Sequence, residues 1–421
     1  MPFLPHPPAA PEIVAAVLFV LALLHVLFAK RLEQLSRRFP RHAGAFHLLG
    51  EVEVVFGFWA CVLVAALALM QGPANALAYA ESRSYAEPVF VFVVMVIAAS
   101  RPVMAAVRWA VAGLSRAMPL PRPLARTWLG LAVVPLAGSL VTEPAAMTLA
   151  ALLLAPLVFR AEVPEPPKYF ALGVLLVNVS IGGTLTAYAA PPVLMVARTW
   201  NWDTAFMLQT FGWRAALAVL VNATAATWLL RKHVAAEAVA DPSPRVPVGV
   251  MAVHCAFLAG VVLVAHHPIA CVGLFLLFLG FTSAYERHQS PLLLREALLV
   301  AFFLSGLVLL GGMQHWWLQP LVESLSPLAL FFGSIALTAV TDNAALTYLG
   351  SLIEGLSAEA RYSLVAGAVA GGGLTVIANA PNPAGLALLK NGFADESIGA
   401  GELLLGALAP TVVAAAAFLL L

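Results

Sequence analysis

The chain has 421 residues, 62% of them hydrophobic, and its 22 Lys and Arg and 21 Asp and Glu make up only 10% of it, where a soluble domain carries roughly 25%. With a mean hydropathy of +0.94 no stretch is polar enough to fold in water by itself, which excludes a soluble enzyme and a soluble domain on one anchor. A net charge of +1 leaves no field to draw in nucleic acid, and Cys61, Cys255 and Cys271 lie in apolar runs at spacings that suit neither disulfides nor a metal.

A membrane-crossing helix needs about 20 mostly apolar residues. In chain order such runs fall at Pro11 to Ala29, Gly50 to Gln71 and Pro88 to Gly113. Thr127 to Phe159 is also apolar but has a polar centre, Ser139-Leu140-Val141-Thr142-Glu143-Pro144. Crossings follow at Tyr169 to Ala197, interrupted by Gly182-Gly183-Thr184 and Pro191-Pro192, and at Phe211 to Leu230. After a polar, proline-bearing link at 231–247 come Val248 to Ala265, Pro268 to Tyr285 and Leu292 to Met313. Pro327 to Ile353 again has a polar centre, Thr338-Ala339-Val340-Thr341-Asp342-Asn343. The last two crossings are Arg361 to Leu389, interrupted by Gly371-Gly372-Gly373 and Pro381-Asn382-Pro383, and Gly399 to Leu421.

This reading predicts an all-α polytopic membrane protein with ten transmembrane helices, two of them broken. The stretches 127–159 and 327–353 become re-entrant hairpins, because a carboxylate and a helix break in mid-span are tolerated only inside protein or beside a water-filled cavity. Short cytoplasmic loops collect Lys and Arg. With both termini outside, 18 of the 22 basic residues fall on the cytoplasmic side, which places the first hairpin on that side and the second on the outer side.

The hairpin centres read alike. Thr142-Glu143-Pro144-Ala145-Ala146-Met147-Thr148 and Thr341-Asp342-Asn343-Ala344-Ala345-Leu346-Thr347 stand 199 apart, and the Leu-Thr pairs of the two broken helices stand 189 apart. Each half, 1–230 and 248–421, then contributes five crossings, and an odd number inserts the second half upside down. Inverted-topology repeats of this kind build a midplane site from broken helices and hairpin tips.

The Gly182-Gly183-Thr184 to Pro191-Pro192 pattern, placed after a polar-tipped hairpin and repeated in the second half, resembles the ion transporter superfamily. That group includes sodium-coupled dicarboxylate carriers, arsenite pumps and NhaD-type antiporters, and the chain is most similar to bacterial membrane proteins classed as sodium/proton antiporters. The resemblance implies an inner-membrane homodimer, in which the hairpins with the broken and last helices move as one body against the first three helices of each half. Dicarboxylate carriers resemble one another in an uncharged Ser-Asn-Thr at each tip. Here the tips carry Glu143 and Asp342, which disfavours the alternative of a small anionic substrate such as an organic acid or arsenite.

The chemistry follows from the tips. Thr142 and Thr341 are good N-cap residues, so each tip is expected to begin a half-helix with free N–H groups and a positive dipole end. Desolvation favours the neutral acid, while the dipole and nearby hydroxyls favour the carboxylate; a cation exchanger needs that balance. Hard cations such as sodium or lithium take oxygen ligands. Besides Glu143 and Asp342, the expected donors are Thr142, Thr341, Asn343, Thr148, Thr347, Asn178, Thr184, Thr186, Thr375, Asn379 and Asn382, with Ser180 beside them. Sodium or lithium ions and protons are thus the expected cargo, and nothing in the motifs calls for a cofactor. An intramembrane aspartyl protease is disfavoured, since such enzymes resemble one another in a Gly-x-Gly-Asp motif and none occurs here. Arg101 and Arg108 are expected on an interfacial amphipathic helix, as are Trp316, Trp317 and Glu323. Glu51 and Glu53 open the second crossing, and His266-His267 caps a helix outside.

Overall fold

The computed structural model describes residues 9–38, 40–234, 246–265 and 267–421. His266 and most of the link between the halves, 235–245, lie outside the described residues, all of whose regular elements are helical.

The first part runs through α1 (Ala10–Arg38), α2 (Ala43–Gly50), α3 (Val52–Gln71), α4 (Pro73–Glu81), α5 (Ala86–Ala98) and α6 (Arg101–Ala117). Gly72, at φ 91°, makes the corner between α3 and α4, a backbone region that glycine enters without Cβ strain. The expected straight crossing at Pro88 to Gly113 is instead α5 and α6, bent by 63° at Ala99-Ser100. Pro102 explains the break: it stands in the first turn of α6, where its missing N–H costs nothing but where the preceding helix cannot continue. The amphipathic α6 carries Arg101 and Arg108, as the sequence suggested.

Then follow α7 (Arg122–Leu131), α8 (Val133–Ala137) and α9 (Glu143–Leu154), α10 (Glu165–Gly182) and α11 (Pro191–Trp200), and α12 (Thr204–Met207), which passes through a π-helical turn at Leu208–Gly212 into α13 (Trp213–Leu230). The remainder comprises α14 (Val248–Leu263), α15 (Pro268–Ala284), α16 (Leu294–Gly311), α17 (His315–Glu323), α18 (Pro327–Thr338), α19 (Asn343–Ser351), α20 (Ala358–Gly371), α21 (Asn382–Leu389) and α22 (Ala400–Leu420). Side-chain caps define several starts: Ser326 Oγ accepts from the Ala329 N–H, and Ser357 Oγ from the Ala360 N–H, each worth about 1 kcal/mol. Among the described residues five stretches are long and apolar enough to cross a membrane, Val54–Gln71, Glu165–Leu185, Thr204–Leu230, Leu294–Gly311 and Ala400–Leu420, and the bent α5–α6 pair counted as one span makes a sixth. Shorter apolar helices include Ala10–Val26, Val248–Leu263 and Pro268–Ala284.

Buried apolar side chains fall into two clusters. One joins α1, α3, α4, α5, α14, α15 and α16 through residues such as Phe19, Phe56, Val94, Phe278 and Leu304. The other joins the elements from α7 to α13 with those from α17 to α22, through residues such as Leu175, Phe211, Phe331 and Val369. Ala145, Leu194, Met195, Ala344 and Ala345, on α9, α11 and α19, reach into the first cluster and form the seam. Within each cluster one helix pair meets backbone to backbone. A Cβ on Gly306 of α16 would lie 2.4 Å from the Gly57 nitrogen of α3, and one on Gly173 of α10 would lie 2.4 Å from the Gly406 oxygen of α22, so only glycine permits these approaches.

Some contacts between the earlier and later helices come in matched pairs. Helix α9 packs on α21 as α19 packs on α11, and α3 packs on α16 as α5 packs on α15. Lys168 is fully buried. Its ammonium holds Glu165 at 2.7 Å and the Gly392 carbonyl at 2.5 Å, over the Phe393 ring, so it fastens the start of α10 to the turn after α21.

Candidate cation site

Both polar centres break the helix where a side chain, not a backbone carbonyl, satisfies the next N–H groups. At the first tip Thr142 is the N-cap of α9, its Oγ1 accepting from the Ala145 N–H. At the second tip the cap is Asp342, whose Oδ1 accepts from the Ala344 N–H at 2.8 Å and the Ala345 N–H at 3.1 Å. Thr341, expected in that role, instead donates to the Leu337 carbonyl. The second helix thus starts one residue later than the sequence motif suggested, because a carboxylate outcompetes a hydroxyl for two N–H donors at a helix start.

The same one-residue shift appears in the packing. Thr186 donates to the Ser139 carbonyl and Thr375 to the Ala339 carbonyl. A Cβ on Gly182 would strike the Pro135 oxygen, and one on Gly371 the Ile335 oxygen. In space the tips therefore correspond at a spacing of 200, not 199, which matches Thr142 with Asp342 and Glu143 with Asn343.

Glu143 is fully buried. The broken helix of the other half reaches it: Asn379 Nδ2 donates to Glu143 Oε2 at 2.8 Å. The Asn382 N–H bonds the Asn379 carbonyl, and the Asn343 N–H bonds the Ala378 carbonyl. Asn382 Nδ2 donates to the carbonyls of Gly372 and Thr375, and Asn343 Nδ2 to Ser180 Oγ. Four buried acceptors, Glu143 Oε1, Asn343 Oδ1, Asn379 Oδ1 and Asn382 Oδ1, have no hydrogen-bond partner among the described residues. Each such atom costs about 1–3 kcal/mol, a cost that a bound cation or proton would remove.

Asn379 also lines a cavity of about 20 Å³ with Asp342, Val300, Phe303 and Pro383, room for about one water-sized particle. Two glycines keep the space open. A Cβ on Gly183 would lie 2.7 Å from Glu143 Oε1, and one on Gly372 would lie 2.1 Å from Ser180 Oγ and 2.9 Å from Asn343 Nδ2.

Of the sequence-predicted donors, Glu143, Asn343, Asn379 and Asn382 are linked to one another through these bonds, and Asp342 shares the cavity with Asn379. The others are engaged elsewhere. Thr148 and Thr347 donate to the Pro144 and Ala344 carbonyls of their own helices, and Thr184 to the Ile181 carbonyl. Asn178 bonds the Leu131 and Val219 carbonyls and accepts from Asn222 Nδ2, which stitches α10 to α7 and α13. Two contributors escaped the sequence reading. Ser139 Oγ donates to the Gly182 carbonyl and accepts from the Leu185 N–H, tying the first tip to the break in α10, and it already stood in the polar centre. Asn222 was findable as an amide inside an apolar run. Glu51, at the start of α3, pairs with Arg295 at 2.6 Å.

On the side of Ser82 and Arg198 there is a larger polar cavity of about 580 Å³, lined by Arg83, Glu87, Arg198, Tyr348 and Ser351. Arg198 and Glu87 stand 3.9 Å apart across it.

A helical membrane chain in which two interrupted helices and two capped half-helices converge on a buried carboxylate among unpaired amide oxygens has the build of a transporter of cations. Residues 10–421 match the model of the family described as "Putative Na+/H+ antiporter", and the chain belongs to that family. No curated protein matches it.

Proposed function

We propose that the protein exchanges sodium, or lithium, for protons across the inner membrane of a bacterium, with the cation and the proton competing for the tip carboxyls. The observation that carries this reading is Glu143 Oε1, wholly buried and without a hydrogen-bond partner among the described residues, beside the Asn379 amide that holds the other carboxylate oxygen. A carboxylate there is neutralised either by a proton or by a hard cation with amide oxygens completing its shell. It repels anions, so an organic acid or arsenite does not suit it.

Ten crossings in two inverted halves with both termini outside accord with the paired contacts of α9 with α21 and α19 with α11. An elevator-type movement accords with the split into two apolar clusters, and the homodimer follows by analogy with the carriers this chain resembles. In everted vesicles with an acidified interior, addition of sodium is expected to release protons from the lumen. A flat pH trace from vesicles containing the wild-type protein would overturn the reading, and Glu143→Gln is expected to abolish the response.

A further inference from the structure

The polar cavity beside Ser82 and Arg198 lies in helical register with the two tips. Each tip borders a small cavity: the one shared by Asp342 and Asn379, and one of about 10 Å³ beside Thr142 and Pro144, and Val300 and Ala380 line both. The helices that line these small cavities go on to line the large one. The two levels are marked by Val91 and Glu87 on α5, by Leu194 and Arg198 on α11, by Phe303 and Val308 on α16, and by Asp342 and Tyr348 at the start and middle of α19. Members of each pair are four to six residues apart in sequence, which at a rise of about 1.5 Å per residue separates the levels by about 6–9 Å. The rim of the large cavity, Ser82, Ser84, Arg198 and Thr199, is exposed, while Met195 and Val308 at its floor are buried. Tyr348 reaches across from α19 and donates to the Val308 carbonyl of α16. Between the levels stand Phe90, Leu304 and Ala345, each at most 2% exposed and all in one apolar cluster.

We infer that the large cavity is the vestibule through which the cation passes between the proposed site and this face of the protein, and that Phe90, Leu304 and Ala345 are the barrier that closes it in the conformation described. This rests on the antiport reading. A cavity of that size, open at a polar rim and stopping one apolar layer short of the tips on four helices at once, is placed as an entrance and not as a packing fault. Its charge gives it a direction. The lining carries Arg83 and Arg198 against one carboxylate, Glu87, and an excess of guanidinium groups lowers the local concentration of cations. The vestibule therefore favours the departure of a cation over its capture. On the proposed topology it opens to the outer face.

The test uses the full-length protein in right-side-out vesicles with an acidic lumen, following uptake of radioactive sodium from outside at constant ionic strength. In a background of Cys61→Ala, Cys255→Ala and Cys271→Ala, single cysteines are placed in the cavity by Thr199→Cys and Ser351→Cys, and outside it by Ser324→Cys. Each is modified from outside with thiosulfonates of like size and opposite charge, one carrying a trimethylammonium and one a sulfonate group. At the two cavity positions the cationic adduct is expected to raise the half-saturating sodium concentration about twofold to tenfold and the anionic adduct to lower it by a similar factor, from one charge about 10 Å from the site. Neither adduct is expected to act at Ser324→Cys. Shifts of the same sign with both reagents, or none in protein shown by mass to be fully modified, would overturn the vestibule. Leu304→Cys is expected to be modified at least a hundredfold more slowly than Ser351→Cys, and equal rates would overturn the barrier. Arg198→Gln needs no cysteine background and is expected to lower the half-saturating sodium about twofold to tenfold; an unchanged or raised value would count against the charge argument and overturn it. Absence of any sodium–proton coupling in the unmodified wild type would overturn the antiport reading instead.

Discussion

Asn379 Nδ2 donates to Glu143 Oε2 at 2.8 Å, across 236 positions of sequence. Removing that donor leaves a buried carboxylate short of a charge-assisted bond worth about 1.5–3 kcal/mol. Asn379→Ala is accordingly expected to weaken sodium dependence about tenfold to a hundredfold in proton-release assays. An unchanged half-saturating concentration would show that the amide does not orient the acid.

The glycines beside the acid set its room. Gly183→Ala puts a methyl against Glu143 Oε1, and Gly372→Ala puts one against Ser180 and Asn343. Both are expected to cut exchange at least tenfold, since a misplacement of about 1 Å is felt strongly in a site held by backbone. Gly273→Ala and Gly280→Ala, where a Cβ meets nothing within 4 Å, serve as controls and are expected to leave transport as it is.

Acidity provides a direct count of exchanging groups. If one proton competes with one cation at Glu143, the sodium concentration for half-saturation rises about tenfold for each unit fall in pH on the acid limb. The sign follows from competition: lower pH fills the carboxyl with protons and so demands more sodium. Radioactive sodium binding across pH gives the slope directly, and a slope of two would mean that both tip acids titrate.

Lys168 is a test of the fold rather than of transport chemistry. Lys168→Ala strands the Gly392 carbonyl, at about 1–3 kcal/mol, and removes the alkyl stem packed against Phe393. Thermal unfolding in detergent is expected to begin at a lower temperature, with a smaller drop for Lys168→Met, which keeps the stem. Equal melting of all three proteins would refute the clamp.

Arg198 of α11 and Glu87 of α5 face each other across the polar cavity, with the arginine side chain 60% exposed. Solvent screening leaves such a pair little weight in stability. Glu87→Gln is expected to leave the melting temperature within error and to change the exchange rate by less than about threefold. A large loss of stability would mean that the pair holds the clusters together.

The polar centres and the glycine and proline interruptions were legible because polar groups within apolar runs are costly unless they serve a purpose. From that alone Glu143, Asn343, Asn379 and Asn382 could be named. Their register could not, because Thr142 and Thr341 look equally able to cap a helix and only the competition with Asp342 decides between them. Asn178 and Asn379 are the same residue type in equivalent-looking surroundings. Which amide meets the acid depends on how α10 and the break before α21 pack, and a linear pattern does not encode that. The burial of Lys168 is not encoded in the linear pattern either, since its Glu165 and Gly392 partners meet it only when the fold closes.

The carboxylate comes from the segment before residue 230, and the three amide oxygens come from beyond 340. Neither half expressed separately would therefore hold all four oxygens of the proposed site. A chain truncated before residue 340 is expected to lack the amide oxygens of the proposed site and so to give a cell no path for sodium.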